Sequence, residues 1–339
     1  MKRILLILFL FATSLSAEQF QDTVHKTFPA SPGGLLKLEV EFGDIELTTV
    51  DSNQVEMDVL RRVTAGNKEE AQSIFDDLDI QSQQKGNTIE VQGTFKEGWR
   101  HWSSWGNGRI CHNGHCLSYG DQLRELRYRI HVPKNFNINV DTSGGDVIVG
   151  DLQGDSRVST SGGDIRVGHI TGKIDVNTSG GDVRVVQGDR NANIETSGGD
   201  INVGEIAGDV VARTSGGDIE IKKGNNVDVE TSGGDIRISA ANGHIQAETS
   251  GGEIEVHLMT QPKDESRLES SAGNVLVYLP SSVKLNLDAR TNMGEVNAGS
   301  ISLSSVIRKE DELQGSLNGG GPNLVVRTST GDIEIRTNH

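Results

Sequence analysis

Polar and apolar residues alternate along most of this chain, in short segments separated by glycine. In the unit that runs from Thr160 to Asn177, Asp164–Val167 and Lys173–Asn177 both alternate strictly. Such alternation is typical of β-strands buried on one face, here the face carrying isoleucine and valine. The glycine-bounded segments Ser161–Gly163 and Gly168–Gly172 are predicted to be turns. One unit therefore contains two short strands and two corners.

The same unit recurs at a nearly constant spacing. A unit this short cannot bury a core alone, so it must stack on its neighbours. We predict an all-β, single-domain parallel β-solenoid with short two-strand coils of about 18 residues, stacked about 4.8 Å apart. The motif Thr-Ser-Gly-Gly-Asp/Glu-Ile/Val begins at Thr142, Thr160, Thr178, Thr196, Thr214, Thr231 and Thr249, at spacings of 18, 18, 18, 18, 17 and 18 residues.

The Gly-Gly pair of each motif is predicted to form a structural corner. Glycine suits this place because tight corners often need a positive φ. The second glycine leads directly into a strand. The corner residues are Gly144, Gly145, Gly162, Gly163, Gly180, Gly181, Gly198, Gly199, Gly216, Gly217, Gly233, Gly234, Gly251 and Gly252.

The acidic residues after the glycine pairs form a column that is a candidate metal site. Stacked carboxylates about 4.8 Å apart repel by roughly 1 kcal/mol per pair in water, and calcium would relieve this repulsion. Calcium β-rolls, however, need a longer glycine motif at both turns. We favour carboxylates that accept hydrogen bonds from backbone N–H groups of the turn. The column is Asp146, Asp164, Asp182, Asp200, Asp218, Asp235 and Glu253.

The ends of the chain carry weaker forms of the pattern. Terminal repeats of a solenoid are expected to differ because they cap its core. Degenerate copies begin at Ser270, Thr291 and Thr328, and Gly43–Leu47 followed by Gln54–Val59 predicts an early coil. We therefore divide the chain into an N-terminal β coil or cap at 18–63, an insertion at 64–122 and a solenoid at 123–339, with strict repeats at 142–259 and degenerate C-terminal coils.

Residues 1–17 predict an export signal. Lys2 and Arg3 precede an apolar run, Ile4–Ala12, that is too short to span a bilayer, and Ser16 and Ala17 suit cleavage. No later segment has 18 consecutive apolar residues, so we expect no transmembrane segment after signal cleavage and a location in the periplasm or at the cell surface. The net charge of −16 argues against a nucleic-acid partner.

The insertion differs from the rest of the chain in composition. A helix is predicted at 67–78, with Asn67 as its N-cap and Glu69 and Glu70 in its first turn. The segment 99–116, called the Trp/Cys loop below, holds all three tryptophans and both cysteines. Its candidate residues are Trp99, His101, Trp102, Trp105, Cys111 and Cys116.

The segment Cys111–Cys116 has two interpretations. With His112 and His115 it has the composition of a Cys₂His₂ zinc site, but such sites usually draw on two separated ligand pairs. Asn113-Gly114 is a turn signal that brings the cysteines together, and exported proteins keep disulfides. We predict a hairpin tip closed by a disulfide.

The tryptophans at every third position also have two interpretations. Trp99, Trp102 and Trp105, with His101 beside them, would suit an aromatic platform for sugar rings or for a partner protein. Equally, they would suit a cover over an open flank or end of the solenoid. Both interpretations stay open, although clustering is unusual in a chain that is only 4% aromatic.

Several segments resemble a bacterial group called “putative adhesins”, a family of β-strand-repeat proteins of unknown function. The matching residues are Arg127–Asn135, the Thr-Ser-Gly-Gly-Asp-Ile copies, Val275–Ser281 and Thr328–Ile335. The resemblance spans about 30–337 and does not include the Trp/Cys loop. It implies a β-solenoid of the cell envelope with no established chemistry.

The sequence favours an exported, non-enzymatic scaffold or adhesin-like binding surface without a cofactor, whose partner is an unknown envelope protein or glycan. A second hypothesis is a carbohydrate- or calcium-binding envelope protein that uses the Trp/Cys loop or the acidic column. A polysaccharide-active β-helix enzyme comes third, because no Gly-x-Ser-x-Gly, phosphate-loop or His-Glu-x-x-His motif occurs.

Overall fold

A computed structural model describes residues 18–96, 100–102, 109–112, 115–118, 122–299 and 301–338. These residues form one helix, α1 (Lys68–Asp77), and three sheets, of which A has 14 strands, B has 15 and C has 3. The all-β prediction is therefore confirmed. No helix within these ranges is long and apolar enough to cross a bilayer.

Sheet A contains, in chain order, β1 (Glu18–Pro29), β3 (Asp44–Val50), β4 (Gln54–Ala65), β10 (Leu123–Pro133), β12 (Val147–Val149), β14 (Ile165–Ile170), β16 (Val183–Gly188), β18 (Ile201–Ile206), β20 (Ile219–Lys223), β22 (Ile236–Ala241), β24 (Ile254–Leu258), β26 (Val275–Leu279), β28 (Val296–Asn297) and β32 (Ile333–Thr337).

Sheet B contains β2 (Gly34–Val40), β5 (Leu78–Lys85), β6 (Thr88–Phe95), β11 (Phe136–Thr142), β13 (Ser156–Thr160), β15 (Ile174–Thr178), β17 (Ala192–Glu195), β19 (Val210–Arg213), β21 (Val227–Thr231), β23 (Ile245–Thr249), β25 (Ser266–Ala272), β27 (Leu285–Met293), β29 (Ser304–Arg308), β30 (Glu312–Leu317) and β31 (Asn323–Thr330). Sheet C contains β7 (Arg100–Trp102), β8 (Arg109–His112) and β9 (His115–Ser118).

In the strict repeats the chain alternates between sheets A and B, and each strand pairs in parallel with its counterpart in the next coil. Ile165 pairs with Val183, which pairs with Ile201 in turn, and Ile174 pairs with Ala192 across sheet B. The inward-facing residues of both sheets form one core of isoleucine, valine, leucine and alanine. Along each strand, the residues that alternate with these inward-facing ones face solvent, and they are mostly polar. Polar side chains therefore cover the outer faces of both sheets.

The N-terminal end is closed by long antiparallel strands. β4 pairs antiparallel with both β1 and β10, whereas β10 runs parallel to β3. The segment predicted to form an early coil does not place its two strands in different sheets, as a coil of the repeats does. β3 joins the parallel stack of sheet A, and β4 lies in sheet A as well. The alternation of β4 extends over 12 residues, which matches the 12 residues of β1 and permits one long antiparallel ladder.

The two sheet edges at this end are tied together. β1 is the edge of sheet A and β5 is the edge of sheet B. Lys26 Nζ on β1 donates to Ile80 O at 2.8 Å and to Ser82 Oγ at 3.0 Å on β5. An inward-pointing lysine on an edge strand discourages pairing with another chain.

Helix α1 also packs at the N-terminal end. Asn67 Oδ1 accepts a hydrogen bond from Glu70 N at 2.8 Å, and Glu70 Oε2 accepts one from Gly66 N at 2.8 Å. These bonds satisfy backbone donors that have no partner within the helix. Ala71, Ile74 and Phe75 are buried against the core.

The C-terminal copies stack in a different order from their order in the sequence. β25 and β26 are followed in space by β31 and β32, and only then by β27 and β28. The copy that begins at Thr328 therefore lies between those at Ser270 and Thr291. β30 and β29 then continue sheet B in antiparallel fashion. Sheet B thus finishes in antiparallel strands at both ends.

Replacing Ser156 with alanine is expected to raise the free energy of unfolding by about 1 kcal/mol, because a buried hydroxyl without a partner costs roughly that much. Ser156 Oγ is buried between Ile138 and Ile174 and has no hydrogen-bond partner. Chemical denaturation measures the change. In the control Ser266→Ala, stability should fall instead, because Ser266 Oγ accepts a bond from Ile245 N at 3.1 Å. A destabilised Ser156→Ala variant would contradict this account.

Candidate functional site

The threonine of each motif is buried at the corner, and from Thr160 onward it joins adjacent coils. Thr214 Oγ1 donates to Gly199 O of the preceding coil at 2.9 Å and accepts from Gly217 N of its own corner at 3.4 Å. The same pair of bonds recurs at Thr178, Thr196, Thr231 and Thr249. These hydroxyls satisfy buried backbone groups. They are therefore engaged in the fold and unable to form an outward binding face.

The acidic column is a hydrogen-bonded ladder between coils. Asp182 Oδ1 accepts from Asp200 N at 2.9 Å, and Asp200 Oδ1 accepts from Asp218 N at 2.9 Å. The donor is thus the backbone N–H of the next acidic residue, rather than a glycine of the turn. Further along, Asn274 Oδ1 accepts from Asp332 N at 2.8 Å. The oxygen of an uncharged amide can therefore accept the same backbone hydrogen bond as a carboxylate oxygen in this ladder.

An Asp200→Asn variant is expected to keep the stability of the parent chain within about 0.5 kcal/mol, because the acceptor oxygen remains. Asp200→Ala removes that acceptor and should lower the free energy of unfolding by about 1 kcal/mol, since water reaches the exposed corner. Denaturant titrations of both variants provide the comparison. Equal losses in the two variants would mean that the negative charge is needed, as it would be at a cation site.

The second corner carries a similar ladder that the sequence analysis overlooked. Asn191 Oδ1 accepts from Asp209 N at 3.1 Å, and Asp209 Oδ1 accepts from Asn226 N at 3.2 Å. Asn226 Oδ1 accepts in turn from His244 N at 3.2 Å. The signal was present as an Asp or Asn just before the second strand of several repeats. Both corners thus direct their short polar side chains along the stack.

The corner glycines are needed for a different reason from the one expected. Of these glycines, all in the described part of the chain, only Gly145 has a positive φ, +115°. The second glycine of each pair instead lies against the backbone of the preceding coil. A Cβ on Gly199 would overlap Gly181 O and C, whereas a Cβ on Gly198 would lie 3.6 Å from Gly180 O. Close stacking of coils, rather than backbone conformation, thus requires glycine there.

Three depressions on the described surface are lined largely by polar and charged residues. One, of about 260 Å³, lies on sheet A beside Arg237, Glu255 and Asp332. Ligand pockets are usually lined mainly by apolar groups. Within the described residues, no three His, Cys, Asp or Glu side chains are close enough to hold a metal.

Shifted pKa values mark ion pairs or burial. Burial raises the pKa of the Tyr128 hydroxyl, which lies between the sheets beside Gly93. Partial burial opposes ionisation of Asp288, but hydrogen bonds from Arg327 and Gln314 outweigh it and lower its pKa. Hydrogen bonds to Glu312 and Glu334 raise the pKa values of Lys309 and Arg336, respectively. These shifts fit structural roles.

The Trp/Cys loop contributes a sheet of its own. β7 pairs with β8 and β8 with β9, all antiparallel, and none of them pairs with sheet A or B. Cys111 lies opposite Cys116, and His112 lies opposite His115. Trp99 and Trp105 lie outside the described residues. For His101, Trp102 and the two cysteines, the structure describes the backbone alone.

Comparisons with known proteins place the chain in a family. The family model described as Toastrack DUF4097 matches residues 35–242 and 190–336. No curated protein matches the chain. Solved structures that align with 94% of it include a “putative adhesin” from Bacteroides fragilis (13% identity, 97% of that chain, TM-score 0.35) and one from Parabacteroides distasonis (13%, 97%, 0.41). A “putative lipid binding protein” from Parabacteroides distasonis also aligns (14% identity, 97% of that chain, TM-score 0.39).

The family model matches overlapping segments that together cover most of the chain, including the parallel stack and both of its ends. The solved structures are too dissimilar to support a family assignment, with identities of 13–14% and TM-scores of 0.35–0.41. The assignment rests on the match to the family model alone. The chain belongs to the Toastrack DUF4097 family.

Proposed function

We propose that this chain is an exported, non-enzymatic β-solenoid of the cell envelope, and that it presents the Trp/Cys loop to a glycan or an envelope protein. The observation that carries the proposal is the separation of sheet C from sheets A and B. The repeated threonines bond to the preceding coil and the aspartates to the next one, so both contribute to stacking rather than to recognition. The described strands of the loop, β7, β8 and β9, take no part in the parallel stack.

Export is inferred from the signal predicted at residues 1–17, which lie outside the described part of the chain. In an exported chain the two cysteines are expected to form a disulfide. Their backbone register supports this pairing, because Cys111 and Cys116 lie directly opposite each other on β8 and β9. Directly opposed residues of antiparallel strands have Cα atoms about 4.5–5.5 Å apart, within the range that disulfides span.

Glycan binding is tested with a Trp102→Ala variant on an array of bacterial surface glycans. Loss of the indole is expected to abolish retention of the protein, while the β-sheet circular dichroism stays unchanged. Tyr278→Ala is the matched control, because Tyr278 is an aromatic residue on the outer face of sheet A, stacked on His257 at 4.1 Å. Equal retention of both variants, or no retention of the parent chain, would contradict glycan binding through this loop.

The alternatives have their own tests. Calcium binding by the acidic column would raise the melting temperature in millimolar calcium and lower it in chelator. A polysaccharide-active enzyme would release reducing ends or unsaturated sugars from a polysaccharide panel. The outward column of sheet A mixes the carboxylate of Glu220 with the cations of Arg184 and Arg237 instead of converging on one cleft. The enzyme therefore remains the third hypothesis.

A further inference from the structure

An apolar side chain interrupts the polar outer face of sheet A at its N-terminal end. β4 lies between β1 and β10, and its even-numbered residues point outward. Leu60 is the only apolar residue among these outward positions of β4. It lies between Thr23 of β1 and Arg127 of β10. Packing in the core does not account for a leucine there, because this face of β4 is turned away from the core.

Leu60 lies within a depression of about 570 Å³, which is in the usual size range of ligand sites. Leu60 and Thr23 are shorter than the other side chains that line it, so these longer side chains surround a small apolar area. A ligand in this depression would meet hydrogen-bonding groups at its edges and an apolar surface beneath it. The longer lining residues are Gln21, Asp58, Arg62, Glu125 and Arg129.

Contacts among these side chains hold them in place. Arg62 Nη1 lies 2.8 Å from Glu125 Oε2, and Arg62 Nη2 donates to Gln21 Oε1 at 3.2 Å. On the opposite side of Leu60, His25 Nδ1 lies 2.6 Å from Asp58 Oδ1. Side chains that are already ordered lose less conformational entropy when a ligand binds. The depression is therefore partly organised for binding.

The charges of the lining balance, with two arginines and two carboxylates. A guanidinium has five N–H donors and a carboxylate about four acceptor positions, so each keeps capacity for a ligand. A sugar hydroxyl both donates and accepts, and its ring presents C–H groups that can pack on Leu60. The other depression on sheet A differs, because five carboxylates and one arginine line it. A neutral, hydroxyl-rich ligand fits the first depression better than an ionic one.

The depression also lies where the insertion returns to the solenoid. β10 begins at Leu123, two residues before Glu125. We propose that this depression binds one neutral sugar unit of the glycan that the Trp/Cys loop recognises. The inference rests on the proposed function for its class of ligand, but it depends on side chains of β1, β4 and β10 and on none from the loop.

The test is titration of the full chain over arrayed oligosaccharides built from neutral hexoses, beside matched oligosaccharides built from uronic acids. The parent chain should prefer the neutral set. Arg129→Met and Leu60→Arg should each weaken apparent affinity at least about tenfold, because one removes hydrogen-bond donors and the other fills the depression with a charged side chain. Arg237→Met is the matched control and should bind normally, since Arg237 pairs with Glu255 at 3.3 Å in the other depression.

Unchanged affinity of both Arg129→Met and Leu60→Arg would overturn the inference, as would a parent chain that prefers uronic acids or binds no neutral sugar. Circular dichroism of each variant shows whether the sheets are intact. Loss of binding in Trp102→Ala with normal binding in Arg129→Met would leave the loop as the site and remove the depression. The reverse result would keep the depression and contradict the proposed function. Loss of retention on arrayed envelope proteins alone would show that the ligand is not a sugar.

Discussion

Replacing Gly199 with alanine is expected to lower the free energy of unfolding by about 3 kcal/mol or more. A Cβ at this position would overlap the carbonyl group of Gly181 and approach Asp182 N within 2.7 Å. All three atoms belong to the backbone of the preceding coil, so no side-chain rotation can relieve the overlap. The two coils would have to separate, with loss of ladder hydrogen bonds and of core contacts on both sides.

The neighbouring residue provides the control. Gly198→Ala should change stability by about 0.5 kcal/mol or less, because its Cβ would make ordinary van der Waals contact, 3.6 Å from Gly180 O. Denaturant titration and hydrogen exchange across β16–β20 measure both variants. If the two substitutions cost the same, contact between coils is not what requires glycine at the second position.

Substitution of Arg61 by methionine is expected to cost about 2–3 kcal/mol, below the roughly 3–5 kcal/mol typical of a fully buried pair, because Asp22 keeps contact with water. The Arg61 side chain is only 10% exposed, and it forms an ion pair with Asp22 on β1. Its Nη1 donates to Phe75 O at 2.7 Å, and its guanidinium lies 5.2 Å from the centroid of the Phe75 ring. One side chain thus connects β4, β1 and α1.

The effect should be confined to the N-terminal end. Hydrogen exchange is expected to accelerate in β1 and α1 and to stay unchanged in the strict repeats, because stability in a stacked array is largely local. Arg62→Met is the matched control, since Arg62 is 39% exposed and pairs with Glu125 at 2.8 Å on the outer face. Such surface pairs contribute about 0–1 kcal/mol. Faster exchange throughout the repeats would contradict a local role for Arg61.

Local patterns in the sequence were sufficient to predict the repeats. Alternation identified Ile165, Val167, Ile174 and Val176 as inward-facing, and all four are buried. Each coil of the strict repeats contacts only similar coils on either side. The local alternation is therefore enough to predict how the coils stack. The alternation could not show why the second corner position needs glycine. That need comes from backbone atoms of the preceding coil, 18 residues earlier in the sequence, as Gly181 is for Gly199.

The ends were harder to predict for a physical reason. Alternation assigns a strand its buried face but does not choose between a parallel and an antiparallel neighbour. β4 alternates like a repeat strand and yet runs antiparallel, and β31 inserts between β25 and β27 despite following both in sequence. Arg61 was missed as well: the alternation of β4 places it on the inward face, but arginine is rarely buried unless it is paired, and its partner Asp22 lies 39 residues away in the sequence.

The candidate site was identified by composition alone. The concentration of tryptophan and cysteine in 99–116 has no counterpart in the repeats, and the structure adds that sheet C pairs with neither long sheet. Sequence patterns do not specify a ligand here, since an aromatic cluster suits a sugar ring and a protein surface equally. The pairing of the histidines became visible only through the register of β8 and β9.

The central claim is that the repeats build the scaffold and the Trp/Cys loop does the binding. It is tested most directly by replacing residues 97–121 with a short Gly-Ser linker and measuring retention on arrayed bacterial glycans and envelope proteins. We predict that the deletion abolishes retention, whereas a triple Asp164→Asn, Asp182→Asn, Asp200→Asn variant of the acidic column is retained like the parent chain. Full retention of the deletion variant, or loss of retention in the triple variant, would contradict the claim.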